Sequence, residues 1–141
     1  MSVNVLISQP NLYDSKVFMP LVFLCLKTYT DLQEDIEPVN WLDPLFRNTD
    51  VDTMLEGVDI DTLDVLGLSC YDWNWKLNLQ IAQKIKDANP KCLVVAGGPH
   101  PDWKNRNIFV DNPQIDAIVY NDGEKPFADI IKAVQNKKSI E

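Results

Sequence analysis

One histidine, three cysteines and a dense run of carboxylates are the side chains here with chemistry to offer, and their spacing narrows that chemistry quickly. Cys25, Cys70 and Cys92 are odd in number and far apart, which suits neither a disulfide framework nor the close ligand spacing of a metal or cluster loop. That pattern fits a reducing, cytoplasmic setting. Asp50, Asp52, Glu56, Asp59, Asp61 and Asp64 lack the central glycine and closing glutamate of a calcium loop, so they read as a solvated acidic face. Ser69, Cys70 and His100 could supply a nucleophile and base for hydrolysis or group transfer only if the fold brought them within about 3 Å of one another. Spacing alone assigns no catalytic residue and no side-chain metal site. Gly97-Gly98 is different in kind, because two residues without Cβ let a ligand approach the backbone closely, or else make a tight strand-to-helix turn.

The whole chain bounds what such a ligand could be. With 21 acidic residues against 13 basic ones and a formal charge of −8, a nonspecific grip on nucleic acid or anionic membrane is not expected, since both need a basic surface. No stretch approaches the roughly 20 apolar residues of a membrane span, and the opening Met1-Ser2-Val3-Asn4 lacks the basic start of a signal peptide. A length of 141 residues suits one domain with a full core, because domains of roughly 100–150 residues are the commonest. We expect that domain over residues 1–135, with residues 136–141 a tail or the start of a linker.

The elements that must position these residues follow from periodicity. Residues 3–8 are a β-branched run stopped by Gln9-Pro10-Asn11. Helical spacing over 15–33 tolerates Pro20 only in the first turn, and Leu21, Phe23 and Leu24 predict deep burial of that end. Residues 36–42 read as a strand that Pro38 confines to the sheet edge. A short acidic helix is predicted over 50–57, with Val51, Met54 and Leu55 inward. Residues 64–69 and 92–96 are apolar on consecutive positions, the sign of strands buried on both faces. Residues 74–88 form a helix whose stripe is Leu77, Ile81, Ile85 and Ala88. After a polar connector with a short helix, residues 115–120 give a fifth strand. Residues 126–134 close the chain as a helix with Phe127, Ile130, Ile131 and Val134 inward. This alternation predicts an α/β doubly wound parallel sheet in the flavodoxin-like order 2-1-3-4-5, with helices on both faces.

In such sheets ligands bind beyond the carboxyl ends of the strands, which selects the loops at 9–14, 70–75, 97–103 and 121–125. A dinucleotide fingerprint or P-loop needs glycines after the first strand, where this chain has Ser8-Gln9-Pro10-Asn11-Leu12-Tyr13. A phosphoacceptor receiver would need acidic residues, an aspartate and a lysine where Gln9, Ser69-Cys70 and Tyr120-Asn121 stand. For FMN, Tyr71, Trp73 and Trp75 could flank a flavin, but the first loop offers no hydroxyl cluster for a phosphate.

One resemblance runs through most of the chain. It is carried by Ile7-Ser8-Gln9-Pro10, Met19-Pro20-Leu21, Gly67-Leu68-Ser69 and the segment Val94-Val95-Ala96-Gly97-Gly98-Pro99-His100-Pro101. Ile115-Asp116-Ala117-Ile118-Val119 and Asn121-Asp122-Gly123-Glu124-Lys125-Pro126-Phe127 complete it. Together, in this order, they resemble the N-terminal cobalamin-binding domain of B12-dependent radical SAM enzymes. The family usually has Gly-Glu-Gly-Glu where Asn121 to Glu124 stand, and often an arginine in place of Tyr120.

The resemblance implies that the nucleotide tail of cobalamin descends along the carboxyl edge of the sheet, with the corrin ring on top facing a catalytic domain. Asn11, Leu12, Ser69 and Cys70 would line one side of the tail cleft, and Gly97, Gly98 and Pro99 the other. Leu12, Tyr13, Tyr71, Trp73 and Trp103 would supply an aliphatic and aromatic rim, with Gly123 and Glu124 in the last loop. The Asp-x-His-x-x-Gly of methionine synthase and the mutases is missing after the first strand. Cobalt is therefore expected base-off and without a protein histidine, its lower face open or capped by Leu12 or Tyr13, and His100 is read as a hydrogen-bonding or turn-packing residue. The cluster motif Cys-x-x-x-Cys-x-x-Cys is absent, so S-adenosylmethionine and a 4Fe-4S cluster would belong to a downstream catalytic domain, in the same or another chain. The parent would be a methyltransferase or a C–C bond-forming enzyme, with no catalysis by this chain alone. The alternative is a cofactor-free or FMN-binding flavodoxin-like interaction domain.

Overall fold

The computed structural model describes residues 2–12 and 18–137. Tyr13, the expected start of the first helix at 15–17, and the tail from 138 onward lie outside the described residues. The strands are β1 (Asn4–Ser8), β2 (Asn40–Trp41), β3 (Val65–Ser69), β4 (Leu93–Gly97) and β5 (Ala117–Ile118), and the helices are α1 (Leu21–Asp31), α2 (Val51–Met54), α3 (Trp75–Ala88), α4 (Ile108–Asp111) and α5 (Glu124–Gln135). All strand pairs are parallel, in the order β2-β1-β3-β4-β5. This is the flavodoxin-like arrangement that the strand pattern predicts.

Alternation along each strand builds two cores, one per face. Leu6, Leu66, Leu68, Val94 and Ala96 meet Ile81, Ala82 and Ile85 of α3 on one side. Val5, Ile7, Val65 and Val95 meet Leu26 of α1 and Phe127 and Ile131 of α5 on the other. Every residue of β3 is buried, as its run of consecutive apolar residues requires.

Several boundaries differ from the sequence reading for physical reasons. The edge strands shrink to two residues each: Pro38 has no N–H to give β1, and while Asp116 N donates to Val94 O at 2.9 Å, Val94 N donates at 2.8 Å to the Asp116 carboxylate and not to a backbone carbonyl. Helix α1 begins directly after Pro20, and its start is not buried. Phe18, Met19 and Leu21 are 62%, 74% and 64% exposed, because only the Leu26 and Thr30 side of the helix is fully buried. In α3 the buried stripe is Asn78, Ile81, Ala82 and Ile85, while Ala88 is exposed. The short helix α2 is capped by Asp50, whose carboxylate accepts from Thr53 N at 2.9 Å and Thr53 Oγ1 at 2.7 Å.

Candidate functional site at the carboxyl edge

Helices α1 and α5 pack against one face of the sheet, and where they part at its carboxyl edge a cavity of about 270 Å³ opens. Ile7, Gly67, Ser69 and Val95 form its sheet wall, Val22, Cys25 and Leu26 of α1 face them, and Phe127 closes the inner end. Gly97, Gly98, Val119 and residues 121–124 complete the rim.

Two glycines on its lining allow close packing around it. At Gly67 a Cβ would stand 2.6 Å from Ile7 Cδ1 and 3.2 Å from Phe127 Cε2, so the bare backbone lets both side chains close over the strand. At Gly98 the backbone has φ of +90°, and a Cβ would meet Cys70 O at 2.6 Å and Cys70 N at 2.9 Å. This turn therefore requires glycine on conformational and steric grounds at once. It is tied to the end of β3 by Cys70 N donating to Gly97 O (2.8 Å) and His100 N donating to Cys70 O (3.2 Å).

Beside the cavity lies a second, more polar hollow of about 420 Å³, which shares Gly98 and Asn121 with it. Pro99, His100, Trp103, Lys104 and Tyr120 line it. Trp103 and Tyr120 stack with centroids 4.9 Å apart, and Tyr71 and Trp73 stack at 4.4 Å. With Trp73, Trp103 and Tyr120 about half exposed, the edge carries two aromatic platforms.

The sequence-derived candidates distribute unevenly over this geometry. Ser69, Tyr71, Gly97, Gly98, Gly123 and Glu124 gather around the first cavity, and Pro99 and His100 border the second. Leu12 is exposed at the end of the first loop. Asn11 is held toward the segment after β2, its N–H donating to Phe46 O at 2.9 Å. Cys70 is fully buried with its thiol turned to the α3 face, 3.6 Å from Leu68 O and from Asn78 Nδ2. Burial pushes that thiol up to about 12, as it does for Cys92. A thiol so raised is almost wholly protonated near neutrality and is a poor nucleophile. The His100 ring lies 5.0 Å from the Trp75 ring on the exposed surface. A Cys70-based hydrolase or transferase is not what this arrangement builds.

Sequence reasoning overlooked the α1 wall, Gly67 and a polar cluster at the start of α3. The signals were present: a glycine inside an apolar strand marks a close approach, and Asn74 and Asn78 are one helical turn apart on the buried stripe. Both are fully buried and so must be hydrogen-bonded.

The arrangement suits a large, mostly apolar ligand with a few amide groups: a slot with an aliphatic wall, glycines on its lining, and an aromatic rim. Cobalamin fits that description. Among the described residues no group of three or more His, Cys, Asp or Glu could hold a metal ion, and no helix is long and apolar enough to cross a membrane.

Comparison with known proteins bears on the same edge. The chain is 36% identical over 115 residues to the cobalamin-dependent radical SAM methyltransferase TokK of Streptomyces tokunonensis. It is 35% identical over 115 residues to the 2-(S-pantetheinyl)-carbapenam-3-carboxylate methyltransferase of Streptantibioticus cattleyicolor. Each match takes in 81% of this chain and 17% of the relative, so the chain spans about a sixth of their length. Among solved structures it resembles the isolated REC domain of RcsB from Salmonella enterica serovar Typhimurium, with a TM-score of 0.63 at 17% identity over 99% of this chain and 93% of that one. A putative pilus assembly-related protein from Burkholderia pseudomallei gives 0.58 at 9% identity over 97% and 92%. Those two likenesses concern the fold alone. Residues 39–131 match the family model of the B12 binding domain, which does not favour the FMN-binding or cofactor-free alternative. Since the matched segment runs from just before β2 into α5 and includes both glycine-bearing strands, this chain belongs to the B12-binding domain family.

Proposed function

We propose that this chain is the cobalamin-holding module of a larger B12-dependent radical SAM methyltransferase, and that the cofactor's nucleotide tail occupies the slot between α1, α5 and the sheet. The observation that carries the reading is the slot itself, at the carboxyl edge, lined by Gly67, Gly97 and Gly98. Ser69 offers a hydroxyl inside an otherwise apolar wall, and Glu124 sits at the start of α5 beside Gly123. Leu12, Tyr71, Trp73 and Trp103 form the rim on which the corrin rests. Bound cobalamin supplies a cobalt centre able to carry a methyl group. The chain's own residues bind and orient it and exclude water from the tail.

The cobalt is base-off and lacks a protein histidine in this reading. Support comes from His100, whose backbone N–H is spent on Cys70 O and whose ring packs by Trp75, beside the second hollow and not in the slot. S-adenosylmethionine and the 4Fe-4S cluster belong to a catalytic domain that packs over the carboxyl edge, and residues 1–135 form the module that it meets. The three free thiols agree with a cytoplasmic location.

The test is titration with hydroxocobalamin followed by gel filtration. A shifted visible spectrum and co-eluting cobalamin at micromolar protein are expected. An unshifted spectrum with all cobalamin in the small-molecule fraction would overturn the reading.

A further inference from the structure

We infer that Asn74 is a positioning residue for the cofactor site, although its side chain lines neither cavity. Asn74 is the residue before α3, and its carbonyl accepts from Asn78 N at 2.9 Å, but its side chain caps no backbone N–H of that helix. Its carboxamide instead joins separate loops. Asn74 Nδ2 donates to Pro10 O at 3.2 Å, in the loop after β1, and to Ser69 O at 3.0 Å, at the end of β3. Asn74 Oδ1 accepts from Tyr71 N at 2.8 Å, which sets the turn carrying the Tyr71–Trp73 stack. One turn on, Asn78 supports it: Asn78 Nδ2 donates to Asn74 Oδ1 at 3.3 Å and to Ser69 O at 3.1 Å, while Asn78 Oδ1 accepts from Ser8 Oγ at 2.8 Å.

The pattern needs a primary amide. Two carbonyls require donors and one N–H requires an acceptor, from a single short side chain in a site sealed from water. A carboxylate of the same shape would turn a lone pair toward Pro10 O and Ser69 O and drive the first loop away from β3. Leu12, two residues past Pro10, and the Tyr71–Trp73 pair would then lose their common level. Asn89 provides a matched comparison at the opposite edge. Its Nδ2 donates to Ile60 O and Leu63 O, both at 2.9 Å, and its Oδ1 accepts from Lys91 N at 3.2 Å. It is the same kind of clasp, remote from the slot.

The inference rests on the cobalamin reading for its ligand, so the test has two arms. In the ligand-free 141-residue chain, Asn74→Asp should speed hydrogen exchange across residues 9–12 by roughly tenfold or more, the scale of a buried hydrogen bond reversed. Asn89→Asp should leave that segment unchanged. With hydroxocobalamin, Asn74→Asp should weaken retention by roughly tenfold or more, whereas Asn89→Asp, matched for lost stability by urea unfolding, retains it as the wild type does. Should Asn74→Asp fail to fold, Asn74→Ala carries the same comparison. Unchanged exchange at 9–12, or equal loss of cobalamin in the two variants, overturns the inference. Failure of the wild type to retain cobalamin overturns the cobalamin reading and with it a cofactor-positioning role, a result told apart by faster exchange at 9–12 in Asn74→Asp.

Discussion

Alanine at Gly97 and alanine at Gly98 should have opposite consequences, although the two residues are neighbours in one turn. At Gly98 the backbone sits at φ of +90°, where a side chain costs about 1–2 kcal/mol. The new Cβ would also stand 2.6 Å from Cys70 O and 2.9 Å from Cys70 N. Those are backbone atoms in a parallel ladder and cannot swing aside, so overpacking adds about 1–3 kcal/mol. The sum, about 2–5 kcal/mol, is a large share of the roughly 5–15 kcal/mol that holds a domain folded. At about 2–4 °C per kcal/mol for a chain of this size, Gly98→Ala should melt roughly 4–20 °C below the wild type. At Gly97 the φ is ordinary and the nearest atom to a new Cβ is Val119 O at 3.5 Å, a normal contact. Stability should change by no more than about 0.5 kcal/mol. Gly97 lines the slot, however, so the methyl group would crowd a bound tail and weaken cobalamin retention about tenfold, or about 1.4 kcal/mol. Thermal melting of the ligand-free variants and gel filtration with hydroxocobalamin read the two quantities separately. Equal melting temperatures for Gly98→Ala and wild type would refute the steric reasoning, and unimpaired retention by Gly97→Ala would refute the placement of the tail.

The buried thiols predict selective labelling: with Cys70 and Cys92 pushed up to about 12, their thiolate fraction at pH 8 is roughly 10⁻⁴, so a thiol reagent should modify only Cys25 in the native chain and all three after unfolding. Because Cys25 lines the slot, bound cobalamin should slow its modification, and mass spectrometry of the labelled peptides would show otherwise if the slot stays open. His100→Ala should leave the electron paramagnetic spectrum of the bound Co(II) form unchanged and without nitrogen coupling from the protein; a ¹⁵N-sensitive coupling lost on substitution would make His100 a ligand. The hydrogen bonds from Thr53 hold the Asp50 carboxyl below its ordinary value. Its contribution is therefore present above the unfolded carboxylate pKa, near 4, and is lost as pH falls through the lower folded value. Asp50→Ala should be less stable than the wild type at pH 7 and converge with it at low pH in urea titrations.

What could be read in advance was what depends on pattern. Consecutive apolar residues in β3 and β4 announced a sheet covered on both faces, and Gly97-Gly98 at a strand end announced the edge where the slot lies. Pattern failed where tertiary packing chose among equivalent faces. Leu21 and Leu24 look like core residues in a linear string, yet only the turn containing Leu26 and Thr30 is fully buried, which leaves an apolar patch beside the slot. Cys70 and Ser69 look alike as adjacent residues at the end of β3, but neighbours at a strand end point to opposite faces. Asn74 read as a helix start, and only the position of Pro10 and Ser69 in space reveals its use.

The two-residue edge strands have a consequence for the sheet as a whole. As regular strands, β2 is only Asn40 and Trp41 and β5 only Ala117 and Ile118, and edge strands this short are poor templates on which another strand could register. Short borders of this kind are one way a parallel sheet disfavours growth in its own plane without forming a barrel.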